Sequence, residues 1–380
     1  MTRPGLREGG VILALASVPL AASPLGCAAE GDGGAGAPGG DDALGGGGSA
    51  SDAGPSTGTT GGGLGGSGGA TPPTPPADLE RYLTGADADA DVTPLGPGLI
   101  VMGGGADVDS AFRWQRDRVA GGDVVVLRTS GSDGYNGYLF DDIGGVDSVE
   151  TLLVTTRTLA NDPWVAARIT GAEAVFMAGG DQATYVEAWK DTATEDALMN
   201  VYARGGIIGG TSAGAAILGE VAFSAAQGTV FSDEVLLDPY DPRVTLERDF
   251  LSFSPLAGVM TDSHFAARDR FGRLMGFMAR TVRDGTWTEA RGLGIDEATA
   301  LVVDAAGSGP AVGTVVGAGS VYALRGDAPL QCEPGLPLDY EVVSRRLQAG
   351  DTIELPAGTA AAPPQSVTAH AGGIFPSDPY

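Results

Sequence analysis

Gly205-Gly206-Ile207-Ile208-Gly209-Gly210-Thr211-Ser212-Ala213-Gly214-Ala215-Ala216-Ile217-Leu218 runs from an apolar, β-branched pair through glycines and one serine into an Ala/Leu segment. Within it, Gly210-Thr211-Ser212-Ala213-Gly214 fits G-x-S-x-G, the pattern of a strand that turns sharply into a helix with a serine at the turn. Such a turn needs residues without a Cβ on either side of the serine. The hydroxyl then projects at the C-terminal edge of the sheet. The next N–H opens the helix, where developing negative charge is favoured. A glycine-rich turn with an incidental serine accounts for the pentapeptide equally well, so the flanking sequence has to decide.

Upstream, Pro97-Gly98-Leu99-Ile100-Val101-Met102, Asp123-Val124-Val125-Val126-Leu127-Arg128, Val149 to Thr155 and Ala174-Val175-Phe176-Met177-Ala178 are short continuous apolar runs. Runs of this kind mark strands buried on both faces. Helical segments are expected over Asp109 to Val119, Asp162 to Thr170, Ala183 to Lys190 and Glu195 to Arg204. Alternation of strand and helix predicts βαβ units and an α/β fold with a mainly parallel sheet covered on both faces. In such sheets a site lies beyond the carboxyl ends of the strands. The polar and glycine-rich loops Gly103–Asp107, Thr129–Asn136 and Gly179–Gln182 fall there, together with Ser212. Gly103-Gly104-Gly105 is not a dinucleotide fingerprint, because Val108 stands where the third glycine belongs.

Downstream, Glu220 to Ser254 reads as an irregular insertion around Asp238-Pro239-Tyr240-Asp241-Pro242, a lid or pocket wall. Val259-Met260-Thr261-Asp262-Ser263-His264-Phe265 follows, then a helix from Ala266 to Arg283. Arg291 to Val303 is a strand, a turn with two acids, and a second strand. Ala311 to Leu355 alternates apolar and polar residues, as antiparallel strands do. Ala360 to Tyr380 reads as a loose tail.

The 380-residue chain carries a formal charge of −26. That argues against nucleic acid, whose phosphates need a basic face. Arg3 and Arg7, the apolar Val11–Leu20 and the small residues after it have the order of an export signal. The apolar part is shorter than the ~20 residues that span a bilayer. Cys27, after Pro24-Leu25-Gly26, resembles a bacterial lipoprotein cleavage site, with Pro24 where an aliphatic residue is usual. A lipid on Cys27 would be the sole membrane attachment, in a cell-envelope or secreted protein. Residues 28–77 are Gly, Ser, Thr, Pro and Ala with a few acids, the composition of a flexible tether, and the folded domain is expected over 78–359. Cys332 is then a free thiol.

A serine nucleophile needs a base, usually histidine. His370 sits in the Pro/Ala/Ser tail, which leaves His264. On a strand, Asp262 and His264 would face the same way about 6.6 Å apart. Glu297, Asp296 and Asp262 compete as the acid that orients the imidazole. Arg268, Arg270 and Arg273 could be a solvated helix face or a clamp for a carboxylate, which the guanidinium fork suits. One usable histidine and no paired cysteines give no metal site, and no cofactor motif is present.

Gly179-Gly180-Asp181-Gln182, Gly210–Ala215, Asp262-Ser263-His264-Phe265 with Arg268, Arg270, Gly272, Arg273 and Leu274, and Gly294-Ile295-Asp296-Glu297-Ala298-Thr299-Ala300 occur in that order. Together they resemble the cyanophycinase-like serine peptidases, a family that includes aspartyl dipeptidases, from about Leu99 to Leu355. The resemblance implies a three-layer α/β/α sandwich related to class I glutamine amidotransferases, extended by C-terminal antiparallel strands, and a homodimer. It implies Ser212 as nucleophile, His264 as base and Glu297 as orienting acid. It further implies an oxyanion hole at Gly180 and Ala213, and substrate binding by Gln182, Asp262, Arg268, Arg270 and Arg273. Two positions depart from the family pattern: Ser263 replaces a glutamine, and Arg128–Asn136 replaces a Pro-Thr-Ala type of loop.

The expected activity is cleavage of cyanophycin, a poly-aspartate bearing arginine on its side-chain carboxyls, or of another β-aspartyl or acidic peptide. A general esterase with a more apolar pocket is the first alternative, and a catalytically silent surface lipoprotein the second. A glutamine amidotransferase would need cysteine where Ser212 stands.

Overall fold

The computed structural model describes residues 74–380. The export signal, Cys27 and most of the tether lie outside the described residues. The first strands are β1 (Glu80–Gly85), β2 (Gly98–Met102), β3 (Asp123–Arg128), β4 (Ser148–Leu153), β5 (Ala174–Met177) and β6 (Ile207–Thr211). Then come β7 (Val221–Phe223), β8 (Leu246–Arg248), β9 (Val259–Asp262), β10 (Ala290–Ile295), β11 (Thr299–Asp304) and β12 (Ala311–Gly317). The chain continues with β13 (Val321–Gly326), β14 (Tyr340–Leu347), β15 (Thr352–Leu355), β16 (Thr359–Ala360), β17 (Pro364–His370) and β18 (Gly373–Phe375).

The main sheet has the order β1-β4-β3-β5-β6-β2-β11-β12-β15-β16. Its centre, β4 through β2, is parallel, as the apolar runs required. Side chains alternate between two cores, because successive residues of a strand point to opposite faces. Leu99 and Val101 enter one core with Trp164, Val165 and Ile169 of helix Pro163–Gly171 and with Tyr185 and Trp189 of helix Gln182–Trp189. Ile100 and Met102 enter the other, with Ala111 and Phe112 of helix Asp109–Arg118. Both faces are covered, which makes the three-layer arrangement.

A second sheet, β18-β17-β14-β13-β10-β9, packs its apolar face on helix Phe271–Arg283. The C-terminal strands therefore divide between two sheets. Residues 360–380, expected as a loose tail, are folded: β17 pairs with β14 from Tyr340↔Ala369 to Arg345↔Pro364. Their Ala/Pro/Gly composition hid this, since the strand is defined by its partner and not by its own hydrophobicity. The 220–254 insertion is also more regular than expected. β7 and β8 pair antiparallel across the intervening segment, and its helix Ser232–Leu237 packs on helix Phe271–Arg283.

Register explains where a site can form. Met102 pairs with Thr211, and Met177 with Gly210, so β2, β5 and β6 end level. β11 is antiparallel to β2, with Ala300 opposite Met102, so the turn before β11 arrives at that same edge. β9 and β10 pair in parallel, bringing the ends Asp262 and Gly294 together. Five loops from distant parts of the chain converge there: those after β2, β5, β6 and β9, and the turn between β10 and β11.

Candidate active site

Ser212 sits between β6 and the single helical turn Ala213–Ala216, with φ +52° and ψ −112°. This backbone is costly for a residue with a Cβ and persists only where its surroundings enforce it. Two glycines do so. A Cβ on Gly210 would lie 2.4 Å from Gly214 C, and one on Gly214 would lie 2.2 Å from Met177 O. The Ser212 N–H is spent on Met102 O at 3.1 Å.

Ser212 Oγ lies 2.7 Å from His264 Nε2, and His264 Nδ1 lies 2.6 Å from Glu297 Oε1. These two contacts link the three side chains in one line. The base does not sit on a strand, as the spacing suggested: β9 ends at Asp262, and His264 has φ +47°. Its N–H donates to Gly103 O at 2.7 Å, which turns the imidazole toward the Gly103–Gly105 loop. Gly104 leaves the space for the ring, since a Cβ there would lie 2.5 Å from His264 Nε2. The glycine run singled out near β2 therefore cradles the imidazole, a role its sequence did not reveal.

Of the three competing acids, only Glu297 reaches the imidazole. Asp296 accepts from the N–H groups of Ala266 (2.9 Å) and Ser320 (3.0 Å) and ties the two flanking turns together. Asp262 is 3% exposed and faces the other way, into the arginines. Arg273 Nε and Nη2 donate to its two oxygens at 2.8 and 2.6 Å, and Arg270 Nη1 stands 3.3 Å away.

The arginine trio thus divides. Arg273, itself 3% exposed, lies within about 6 Å of the ring centroids of Phe223 and Phe277 and is consumed by Asp262. Asp262 and Arg273, expected to bind substrate, are both buried and paired with each other. Arg270 is half-buried and donates to Ser263 O at 2.8 Å. Burial pulls its guanidinium down to about 10, against the pull of Asp262 in the opposite direction. Arg268 is exposed and forms no ion pair among the described residues. The expected helix from Ala266 begins only at Phe271, because Asp269 has φ +47° and interrupts it.

On the opposite side, a Cβ built on Gly179 would lie 3.5 Å from Ser212 Cβ, which puts the Gly179–Gly180 loop beside the serine. Tyr185 Oη props this loop, 2.9 Å from Ala178 O and 3.1 Å from Gly179 O. The Ala213 N–H opens a helical turn and has no intrahelical acceptor. Gln182 begins helix Gln182–Trp189, half-buried, and its amide has no hydrogen-bond partner among the described residues. Chemically, this arrangement can deprotonate a serine hydroxyl and hold an oxyanion. Among the described residues, no cluster of three His, Cys, Asp or Glu side chains could hold a metal ion, and no helix is long and apolar enough to cross a membrane.

Burial pushes the His264 imidazole below its ordinary value. The Glu297 hydrogen bond opposes this, while Arg268 and Arg270 push it further down. The ring is therefore neutral at pH 7 and able to accept a proton. Any reaction it drives should fail only as pH drops through a value lower than the ordinary ~6.5. Replacing Arg268 by glutamine removes a positive charge, so the acidic limb should move upward. The movement should shrink in high salt, because Arg268 is exposed. The pH dependence of fluorophosphonate labelling at Ser212 measures both; an unmoved limb would contradict the assignment.

Residues 138–240 match the sequence model of peptidase family S51. The match includes Gly180, Gln182, Ser212 and Ala213 and ends before His264 and Glu297, whose placement rests on geometry. A cyanophycinase from Synechococcus elongatus is 32% identical over 45% of this chain and 48% of its own length. One from Trichormus variabilis is 28% identical over 44% and 50%. The chain thus spans about half the length of the curated relatives it matches. Among solved structures, a peptidase from an acI-B1 actinobacterium aligns with 68% of this chain and 97% of its own, at 19% identity and a TM-score of 0.46. Over these stretches the chain is similar in sequence to the cyanophycinases and to peptidase family S51.

Proposed function

We propose that this chain is a serine peptidase that cleaves an amide beside an aspartyl group, in cyanophycin or another β-aspartyl or acidic peptide. The observation that carries the reading is the Ser212–His264–Glu297 line, with contacts of 2.7 and 2.6 Å. His264 Nε2 takes the hydroxyl proton as Ser212 Oγ attacks the carbonyl carbon. The resulting oxyanion is held by the N–H groups of Gly180 and Ala213. Collapse breaks the C–N bond, and His264 returns the proton to the leaving amine. Water, deprotonated by the same histidine, then hydrolyses the acyl-enzyme. Glu297 fixes the ring so that Nδ1 carries hydrogen and Nε2 is free to accept.

Arg268 and Gln182 are the groups left free to meet substrate. An unpaired arginine beside the base suits a carboxylate-bearing substrate and distinguishes this reading from a general esterase, which has no use for it. Export, a lipid on Cys27 and a homodimer belong to the same proposal and rest on sequence alone.

The test is release of soluble β-Asp-Arg from insoluble cyanophycin by the full chain, beside fluorophosphonate labelling. Release supports both chemistry and substrate. Labelling without release keeps the serine hydrolase and discards this polymer. Neither would leave a silent binding protein of the same fold.

A further inference from the structure

Residues 264–270, which carry the base and Arg268, hold two left-handed backbones, His264 and Asp269, both at φ +47°. Left-handed φ at residues with side chains persists only when neighbouring structure imposes it. For His264 the Gly103 carbonyl and the Glu297 carboxylate supply the restraint. For Asp269 it comes from two elements far away in sequence. The Ser232 hydroxyl donates to the Asp269 carbonyl, and the Tyr380 hydroxyl donates to its carboxylate at 2.9 Å.

Tyr380 does more than this one contact. Its oxygen accepts the Phe271 N–H at 3.0 Å, one of the donors that a helix start leaves without an intrahelical acceptor. Its ring meets Phe265, Phe271 and Tyr322 edge-on, with centroids 5.9, 5.8 and 5.6 Å away. Phe265 directly follows the base, and its N–H donates to Ile295 O at 3.1 Å. One side chain therefore grips the loop at both ends: Phe265 beside His264, and Asp269–Phe271 at the helix start.

We infer that Tyr380 is a positioning residue for the Ser212–His264 pair, acting through its hydroxyl on Asp269 and Phe271 and through its ring on Phe265. The inference rests on the serine-hydrolase reading. It gives the segment 371–380 a part in the reaction without contact to substrate. Misplacement of a reacting group by about 1 Å can cost on the order of a hundredfold in rate. Tyr380→Phe removes both hydrogen bonds and keeps the ring, so the loop should loosen while the aromatic cluster stays filled.

The experiment is labelling of the full chain with a fluorophosphonate over a range of probe concentrations, with melting temperature and amide exchange recorded alongside. For Tyr380→Phe the limiting labelling rate should fall about tenfold or more, while the half-saturating probe concentration stays within about twofold. Exchange over 265–271 should quicken, with the melting temperature close to that of the parent. Tyr380→Ala should fall further, since it also empties the ring's place. A Tyr380→Phe chain that labels at the parental rate overturns the inference and leaves the serine reading intact, even if Tyr380→Ala is impaired. A slowed rate with parental exchange over 265–271 overturns it too, because the loop would not be the route. A parent chain that takes no label overturns the serine reading itself, and this inference with it.

Discussion

Ser212→Ala is expected to lower hydrolysis by on the order of 10⁴-fold or more while leaving the melting temperature nearly unchanged. The asymmetry follows from what the hydroxyl touches. Its hydrogen-bond partner is His264 Nε2, so its removal opens no core and orphans no backbone group. Alanine tolerates φ +52° no better and no worse than serine does, and the enforcing contacts of Gly210 and Gly214 remain. His264→Ala should cost about as much, because nucleophile and base act as one unit and their effects do not add. Glu297→Gln should cost less. Its side chain is 42% exposed, so solvent already shares in stabilising the imidazolium, and the contact supplies orientation more than charge. Hydrolysis of the best peptide substrate, measured beside thermal melts, checks the ranking. Equal activity of Ser212→Ala and parent would remove Ser212 from the chemistry.

Sequence and structure agree most closely where the signal is local. The runs Leu99–Met102 and Val124–Leu127 are apolar at every position because each residue enters one of two cores. The serine elbow was legible for the same reason: Gly210 and Gly214 stand where the backbone passes too close for a Cβ. What could not be read depends on partners far along the chain. Asp296 and Glu297 are adjacent acids in one turn, and only the antiparallel placement of β11 against β2 aims the second at His264. Arg268, Arg270 and Arg273 look alike in sequence, yet the left-handed Asp269 delays the helix and leaves them exposed, half-buried and buried in turn. The strand β17 exists because β14 lies beside it.

Arg273 offers the second large effect, and it should appear in stability, not in substrate affinity. Arg273→Met leaves Asp262 buried with only the Ser263 N–H and the longer Arg270 contact, and breaking a buried ion pair on one side costs about 3–5 kcal/mol. For a domain of this size that is a loss on the order of 10 °C in melting temperature. Asp262→Asn should fall in the same range, because it leaves the buried Arg273 guanidinium without its counter-charge. Removing both partners with Asp262→Leu/Arg273→Met should recover part of the loss, since the desolvation cost of the pair disappears with it. The pH dependence has a definite sign. Burial pushes the Asp262 carboxyl up, but Arg273 and Arg270 outweigh it and hold the group below the ordinary carboxylate range. Its contribution is therefore complete above the unfolded value of about 3.9 and disappears as pH falls through the lower folded value. Chains lacking Arg273 should accordingly lose less stability on acidification over that window than the parent does. If instead Arg273→Met melts like the parent and raises KM, the pair must open to bind substrate, and the closed, buried geometry would be only one of its states.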